Sequence, residues 1–253
     1  MNLQGQVALV AGAGRGLGRA TALAFARDGA HVVLADVLAD DLAQAEREVT
    51  ASGVRGLAVT CDLSDEAQVA ALVARTVAEF GHLDILVNTV AWIDPPGLLV
   101  DMSLEVWEKT LKYDLTTHFL CCKHALKVMI PRGYGRIVNT SSEAGKAGYR
   151  LRGSYCAAKA AIINLSMTLA AETSEYDIRV NAICPRAIAG VRHSTLREMF
   201  ADYTERTGTS GRPIGPTPGQ GKPPMAAEEV AEIVLFLVSK EGSHINGQAI
   251  TIG

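Results

Sequence analysis

Short continuous apolar runs alternate along the chain with longer segments of helical periodicity. Val7–Ala11 is apolar and ends in glycines, and the segment after it carries Leu17, Ala20, Thr21, Ala24 and Phe25 at helical spacing before stopping at Gly29. The unit recurs. Residues 31–35 form an apolar run followed by an Ala/Glu-rich helix over about 39–52, residues 57–60 precede a helix over 65–80, and Ile85–Asn88 precedes one over 104–129. The second half repeats the theme with a strand at 136–140, a helix at about 154–173, a strand at 179–183, a helix at 227–237 and a final strand at Ala249–Ile252. Strands that are continuously apolar are buried on both faces, and so parallel. Seven such signals alternating with helices predict an α/β fold: one doubly wound Rossmann-type domain spanning 1–253, with a seven-stranded parallel sheet flanked by helices.

One stretch breaks the pattern. Residues 186–226 concentrate Gly and Pro, with a short helix expected near 195–204, and a helix and strand of the same sheet follow. This predicts a loop covering a site rather than a linker.

Composition narrows the function. The 253 residues carry 24 Lys+Arg against 27 Asp+Glu, are 48% hydrophobic and 5% aromatic, and have a formal net charge of −3. Without a basic surface, nucleic acid is not an expected partner. Five cysteines, with no C-x-x-C spacing and mostly in apolar segments, fit a reducing cytoplasm. The longest apolar stretch near Val230 is broken by Glu232, far short of the ~20 residues that span a bilayer, and residues 1–11 carry no Lys or Arg as a signal peptide would. No partnership with a membrane is expected. Six histidines form no metal-ligand pattern, so no metal is expected.

Candidate chemistry begins between the first strand and helix, where Gly12, Gly14, Arg15, Gly16, Leu17 and Gly18 form a glycine-rich turn. Glycine there allows a sharp turn, lets backbone N–H groups approach a pyrophosphate and packs the helix against the strand, while the helix N-terminus favours the anion. Asp36 ends the second strand at the spacing expected of a carboxylate that binds the adenosine ribose hydroxyls and repels a 2′-phosphate. Arg15 favours NADP; Asp36 and the absence of a second cation at Val37 favour NAD, which is the expected cofactor. Asp62, with Leu63 beside it, either caps the next helix or faces the adenine.

Tyr155 and Lys159 lie one helical turn apart in GSYCAAKAA, and Ser142 precedes Tyr155 by thirteen residues at the end of a strand. A phenol of pKa about 10 is a poor base near neutrality unless a neighbouring ammonium favours its phenolate, and a serine hydroxyl can donate to an oxygen that gathers charge. With the glycine motif, these residues resemble the short-chain dehydrogenase/reductase family over essentially the whole chain. The resemblance implies that Ser142 holds the substrate oxygen, Tyr155 transfers the proton, and Lys159 binds the nicotinamide ribose and acidifies the tyrosine. It implies cofactor contacts from Asn88, Val90, Pro185 and Ile188, and assembly as a homodimer or homotetramer. It also exposes departures. Asp114 stands where the family has an Asn supporting a proton relay, Thr89-Val90-Ala91 follow Asn88 where Asn-Ala-Gly is common, and Arg186 and Gly190 replace a glycine and a threonine.

The substrate is expected to be a small alcohol or ketone. Trp92, Ile93, Pro95, Tyr149 and Leu151 are expected to form an apolar wall. Arg150, Arg152, Arg186, Arg192, His193 and Arg197 either receive an anionic substrate or are solvated loop charges, with Arg152 and Arg186 chosen as substrate contacts. Three functions remain open: an NAD-linked oxidoreductase of secondary alcohols, including the dihydrodiol-oxidising branch; an NADPH-linked ketone reductase; and a dinucleotide-binding sensor or scaffold with little turnover.

Overall fold

In the computed structural model, which describes residues 1–210 and 223–253, side chains along each central strand alternate between two cores. In β1 (Val7–Ala11), Ala8 and Val10 join one core and Leu9 and Ala11 the other; in β2 (His31–Asp36), Val32 and Leu34 oppose Val33 and Ala35. Helices α1 (Gly16–Arg27), α2 (Ala39–Ala51) and α8 (Ala227–Val238) cover the first face. The second is covered mainly by α3 (Glu66–Phe80) and α5 (Thr117–Met129). Phe25 of α1 is fully buried, and truncating such a side chain to alanine costs about 3–5 kcal/mol.

The remaining elements are β3 (Gly56–Thr60), β4 (Ile85–Asn88), α4 (Leu104–Leu111), β5 (Tyr134–Thr140), α6 (Gly153–Glu172), β6 (Asp177–Pro185), α7 (Val191–Thr207) and β7 (Ala249–Ile252). All strand pairs are parallel, in the order β3-β2-β1-β4-β5-β6-β7. The expected seven-stranded α/β sheet is therefore the observed one. Two strands depart from the expected burial: β3 and β7 are only half-buried because they lie at the two sheet edges.

The order reverses between β1 and β4, and the crevice at such a switch point is where doubly wound sheets bind ligands. Register aligns Ala35, Ala11, Asn88 and Asn139 across four strands. The next residue of each strand, Asp36, Gly12, Thr89 and Thr140, lies at the mouth of one cavity.

Two helices differ from the sequence expectation. The continuous helix foreseen over 104–129 is interrupted by a wide π-helical turn at Lys112–Thr116, with Asp114 at its centre. The covering segment carries a helix longer than expected, α7, whose side chains are nowhere fully buried. Its glycines and prolines from Gly211 to Gly221 lie outside the described residues.

Candidate active site

A single cavity of about 1170 Å³ runs from Asp36 and Asp41 at one end to Arg150 and Phe200 at the other. At the first end the glycine turn is tied to β2, because the N–H groups of Gly12 and Ala13 both donate to the Ala35 carbonyl. Gly12 has a φ of +85° and Gly16 of +52°. A Cβ on Gly18 would stand 2.0 Å from the Gly12 carbonyl oxygen, so only glycine allows α1 to pack this closely. Among the described residues no side chain caps α1, and its N-terminal N–H groups are open to an anion.

Asp36 is held by three backbone donors. Its Oδ2 accepts from Gly14 at 2.9 Å, and its Oδ1 accepts from Val37 at 2.7 Å and Leu38 at 3.3 Å. Arg15 is bound to Asp41 at 2.7 Å, an exposed pair that diverts its charge from the cradle. Thr89, which sequence reasoning passed over, donates its hydroxyl to the carbonyls of Ala11 and Gly12 at 2.8 and 3.1 Å. It locks β4 to the glycine turn, a contact its isolated sequence position does not signal.

Asp62 and Leu63 line the cavity. The cap of α3 is not Asp62 but Asp65, which accepts from Ala67 and Gln68, while Asp62 accepts from the backbone and hydroxyl of Ser64. Leu17, Val90, Pro185 and Ile188 also line the cavity. Asn88 does not. Its amide donates to Asn139 at 2.8 Å in the core beneath, because strand alternation turns it away from the mouth.

At the other end α6 presents Tyr155 and Lys159. Lys159 is 1% exposed; its Nζ lies 5.5 Å from the Tyr155 ring centre and donates to the Thr140 carbonyl at 3.2 Å. Ser141 fixes this helix to the end of β5 by donating to the Lys159 carbonyl at 2.7 Å. Gly145 admits the close approach, since a Cβ there would meet the Lys159 backbone at 2.7 Å. Ser142 is partly exposed in the same cavity, its Oγ accepting from Ala144 at 3.2 Å.

Two guanidinium groups flank the phenol. Arg152 lies 3.9 Å and Arg192 5.3 Å from the Tyr155 ring centre. Arg152 is placed by the buried turn before α6. There Leu151 adopts a left-handed φ of +68°, costing roughly 1–2 kcal/mol, and its carbonyl accepts from Gly97. Arg152 pairs with the fully buried Asp94 at 2.8 Å, so the contact expected to serve a substrate is spent within the protein. Arg186 donates to the Pro223 carbonyl at the cavity edge. Tyr149, Trp92 and Ile93 line the pocket as expected; Pro95 and Leu151 do not.

Asp114 is fully buried, and its Oδ1 accepts from the Trp92 N–H at 2.5 Å. The π-helical turn widens the helix where this side chain enters the site, a recurring feature of functional positions. The charges set the state of Tyr155. Burial pushes its pKa up, Arg192, Lys159 and Arg152 pull it down, and Asp114 opposes them; the result lies below the ordinary phenol value. His118, wholly buried beneath and close to Lys159, is held well below its ordinary pKa by burial and by that ammonium, and stays neutral. The arrangement is an acidified phenol at one end of a channel whose other end is built for a phosphate and a ribose.

Comparison with known proteins agrees with this geometry. A family model described as enoyl-(acyl carrier protein) reductase matches residues 12–253. The cis-4-hydroxycyclohexanecarboxylate dehydrogenase of Sinomonas cyclohexanicum is 39% identical over 98% of this chain and 94% of its own length. Among solved structures, an NAD+-bound xylitol dehydrogenase superposes with a TM-score of 0.87 at 28% identity, covering 100% of this chain and 99% of the other. An actinorhodin polyketide ketoreductase with NADPH superposes with a TM-score of 0.88 at 29% identity, covering 100% and 97%. Among the described residues, no helix is long and apolar enough to cross a membrane.

Proposed function

The chain belongs to the short-chain dehydrogenase/reductase family, as an alcohol dehydrogenase or ketoreductase, and from that premise we propose that it oxidises a cyclic secondary alcohol bearing a carboxylate, with NAD as cofactor. The observation that carries this is one continuous cavity joining the glycine turn and Asp36 to a phenol whose pKa neighbouring cations lower. The ring and carboxylate follow the relative from Sinomonas cyclohexanicum, named for such a substrate, and suit a pocket combining Trp92, Ile93 and Tyr149 with several arginines.

The residues present fit a dinucleotide. Gly14 and Gly18 let the turn close against Asp36 and the Gly12 carbonyl, Gly16 leaves open space beside it, the uncapped start of α1 offers N–H groups to a pyrophosphate, and Asp36 offers carboxylate oxygens to the ribose hydroxyls. NAD is preferred because Asp36 repels a 2′-phosphate and Arg15 is already paired with Asp41. Leu17, Asp62, Leu63, Val90, Pro185 and Ile188 complete the binding surface.

When bound, the nicotinamide accepts the hydride from the carbinol carbon. The protein's part is proton transfer and positioning. Ser142 donates a hydrogen bond to the substrate oxygen, and Tyr155, as phenolate, takes the hydroxyl proton while the C–H bond breaks; in the reductive direction the phenol returns it. Lys159 stabilises the phenolate and would hold the nicotinamide ribose. Asp114 tempers that acidity.

The domain is a single unit with α7 as the covering element. The exposed Phe119 of α5 and Met167 of α6 fit assembly of copies into a homodimer or homotetramer, and unbridged cysteine thiols fit a reducing cytoplasm. The NADPH-bound structural relative supports a second reading as an NADPH-linked reductase. Measuring nicotinamide absorbance across hydroxy acids, diols, polyols and the matching ketones, with both cofactors, tests both. NAD-linked oxidation of a ring hydroxy acid is expected. Exclusive use of NADPH overturns the cofactor assignment, and cofactor binding without turnover favours a sensor.

A further inference from the structure

We propose that Arg192 is the residue that binds the substrate's carboxylate and so selects hydroxy acids over uncharged alcohols. This rests on the reading of the cavity as the site of an alcohol oxidoreductase.

Of the arginines that line the pocket, Arg197 is exposed and Arg19 is paired with Glu48, and Arg192 stands beside the Tyr155 ring with no carboxylate partner among the described residues. Arg152 is neutralised by Asp94 at 2.8 Å, and Arg15 by Asp41 at 2.7 Å. Arg150 is exposed and donates to the Ser210 carbonyl, and Arg186 donates to Pro223 at the rim. Arg192 reaches inward from α7, gives one Nη2 hydrogen bond to the Trp92 carbonyl at 3.0 Å and stands 5.3 Å from the Tyr155 ring centre. Its Nε is buried and finds no acceptor among the described residues.

Proton transfer requires the Tyr155 oxygen to face the substrate hydroxyl, which brings the substrate beside the Arg192 guanidinium. A guanidinium with a buried Nε and a half-used fork is costly unless an acceptor completes it. A carboxylate is the planar, two-oxygen acceptor that matches that fork. On a ring carrying hydroxyl and carboxylate at opposite positions, the carboxylate lies a ring's width from the reacting oxygen, and Arg192 lines the same cavity on a side chain long enough to meet it.

Charge balance points the same way. Lys159, Arg152 and Arg192 surround Tyr155, whereas Asp94 and Asp114 are the carboxylates that face this group. Once the phenol has taken the alcohol's proton, three cations face two carboxylates, and the substrate's carboxylate compensates the positive charge that this leaves, which an ester does not.

The test compares kcat/KM for cis-4-hydroxycyclohexanecarboxylate and its methyl ester in the wild type, Arg192→Met and Arg192→Lys. Any effect of Arg192 on Tyr155 acidity is common to both substrates and cancels in the ratio. The wild type should prefer the acid by at least roughly tenfold, the Met variant should lose roughly ten- to a hundredfold of that preference, and the Lys variant should retain part of it. A wild type indifferent to the ester, or a Met variant with the wild-type ratio, overturns the proposal. A parallel calorimetric titration of cyclohexanecarboxylate onto the NAD-saturated proteins separates the two levels of the argument. Absence of turnover on every alcohol removes the dehydrogenase reading, whereas equal carboxylate affinity in wild type and variant removes the role of Arg192. If the Met variant does not fold, the Lys variant carries the same comparison: an acid preference and carboxylate affinity identical to wild type overturn the assignment of the fork.

Discussion

Asp114 and Arg192 hold the same residue from its two ends: Trp92 donates its N–H to the Asp114 carboxylate at 2.5 Å and accepts at its carbonyl from Arg192 at 3.0 Å. The two side chains are thereby fixed on opposite electrostatic sides of Tyr155, one raising its pKa and the other lowering it. The buried Asp114 carboxylate is thus met in the same site by a cation from the covering helix.

Substituting either partner should move the pH dependence of oxidation in opposite directions. Asp114→Asn keeps an oxygen to accept from Trp92 but removes the charge that disfavours phenolate, so the Tyr155 pKa falls and the rising limb of kcat/KM shifts to lower pH. Arg192→Met removes a charge that favours phenolate, and the limb shifts to higher pH. The double variant should lie between the two. A limb unmoved by Asp114→Asn would remove Asp114 from the proton-transfer step.

Tyr155→Phe tests the enzyme against the sensor. Removing the proton donor and acceptor should lower kcat by about 10²–10⁴-fold while leaving NAD binding, read from quenching of tryptophan fluorescence, near the wild-type level. Comparable turnover in this variant would mean that another group moves the proton.

Cofactor choice should follow two carboxylates together. Asp36→Ser removes the repulsion of a 2′-phosphate, and Asp41→Asn frees Arg15 to meet one. The double variant is expected to gain NADP-linked kcat/KM by at least roughly tenfold relative to NAD, more than either single change. If NADP use is unaltered, Arg15 does not reach the phosphate position.

Gly18→Ala should damage the cradle with little effect on the substrate end. Its Cβ would stand 2.0 Å from the Gly12 carbonyl oxygen, so α1 or the turn must move. Overpacking of this kind costs about 1–3 kcal/mol, and NAD affinity should weaken by more than tenfold by fluorescence titration with a lowered Tm. Unchanged NAD affinity would indicate that the dinucleotide does not bind this turn.

Pattern within a dozen residues of the chain determined the sheet, the glycine turn and the shared helical face of Tyr155 and Lys159, because strand alternation, helical spacing and the steric freedom of glycine act on near neighbours. The break at Lys112–Thr116 was not readable, since the flanking residues continue a helical pattern and the wide turn is decided by where Asp114 meets Trp92. Nor did the chain reveal which arginine is committed. Arg152 differs from Arg192 only after the 151–152 turn meets Asp94 and α7 folds back over Tyr155. Asn88 was misplaced and Thr89 overlooked for a related reason: a one-residue step along a strand reverses the face, and only packing against the Gly12 turn shows which of the two reaches the mouth. Side-chain pairing between distant segments depends on how loops close in three dimensions, and local periodicity carries no information about it.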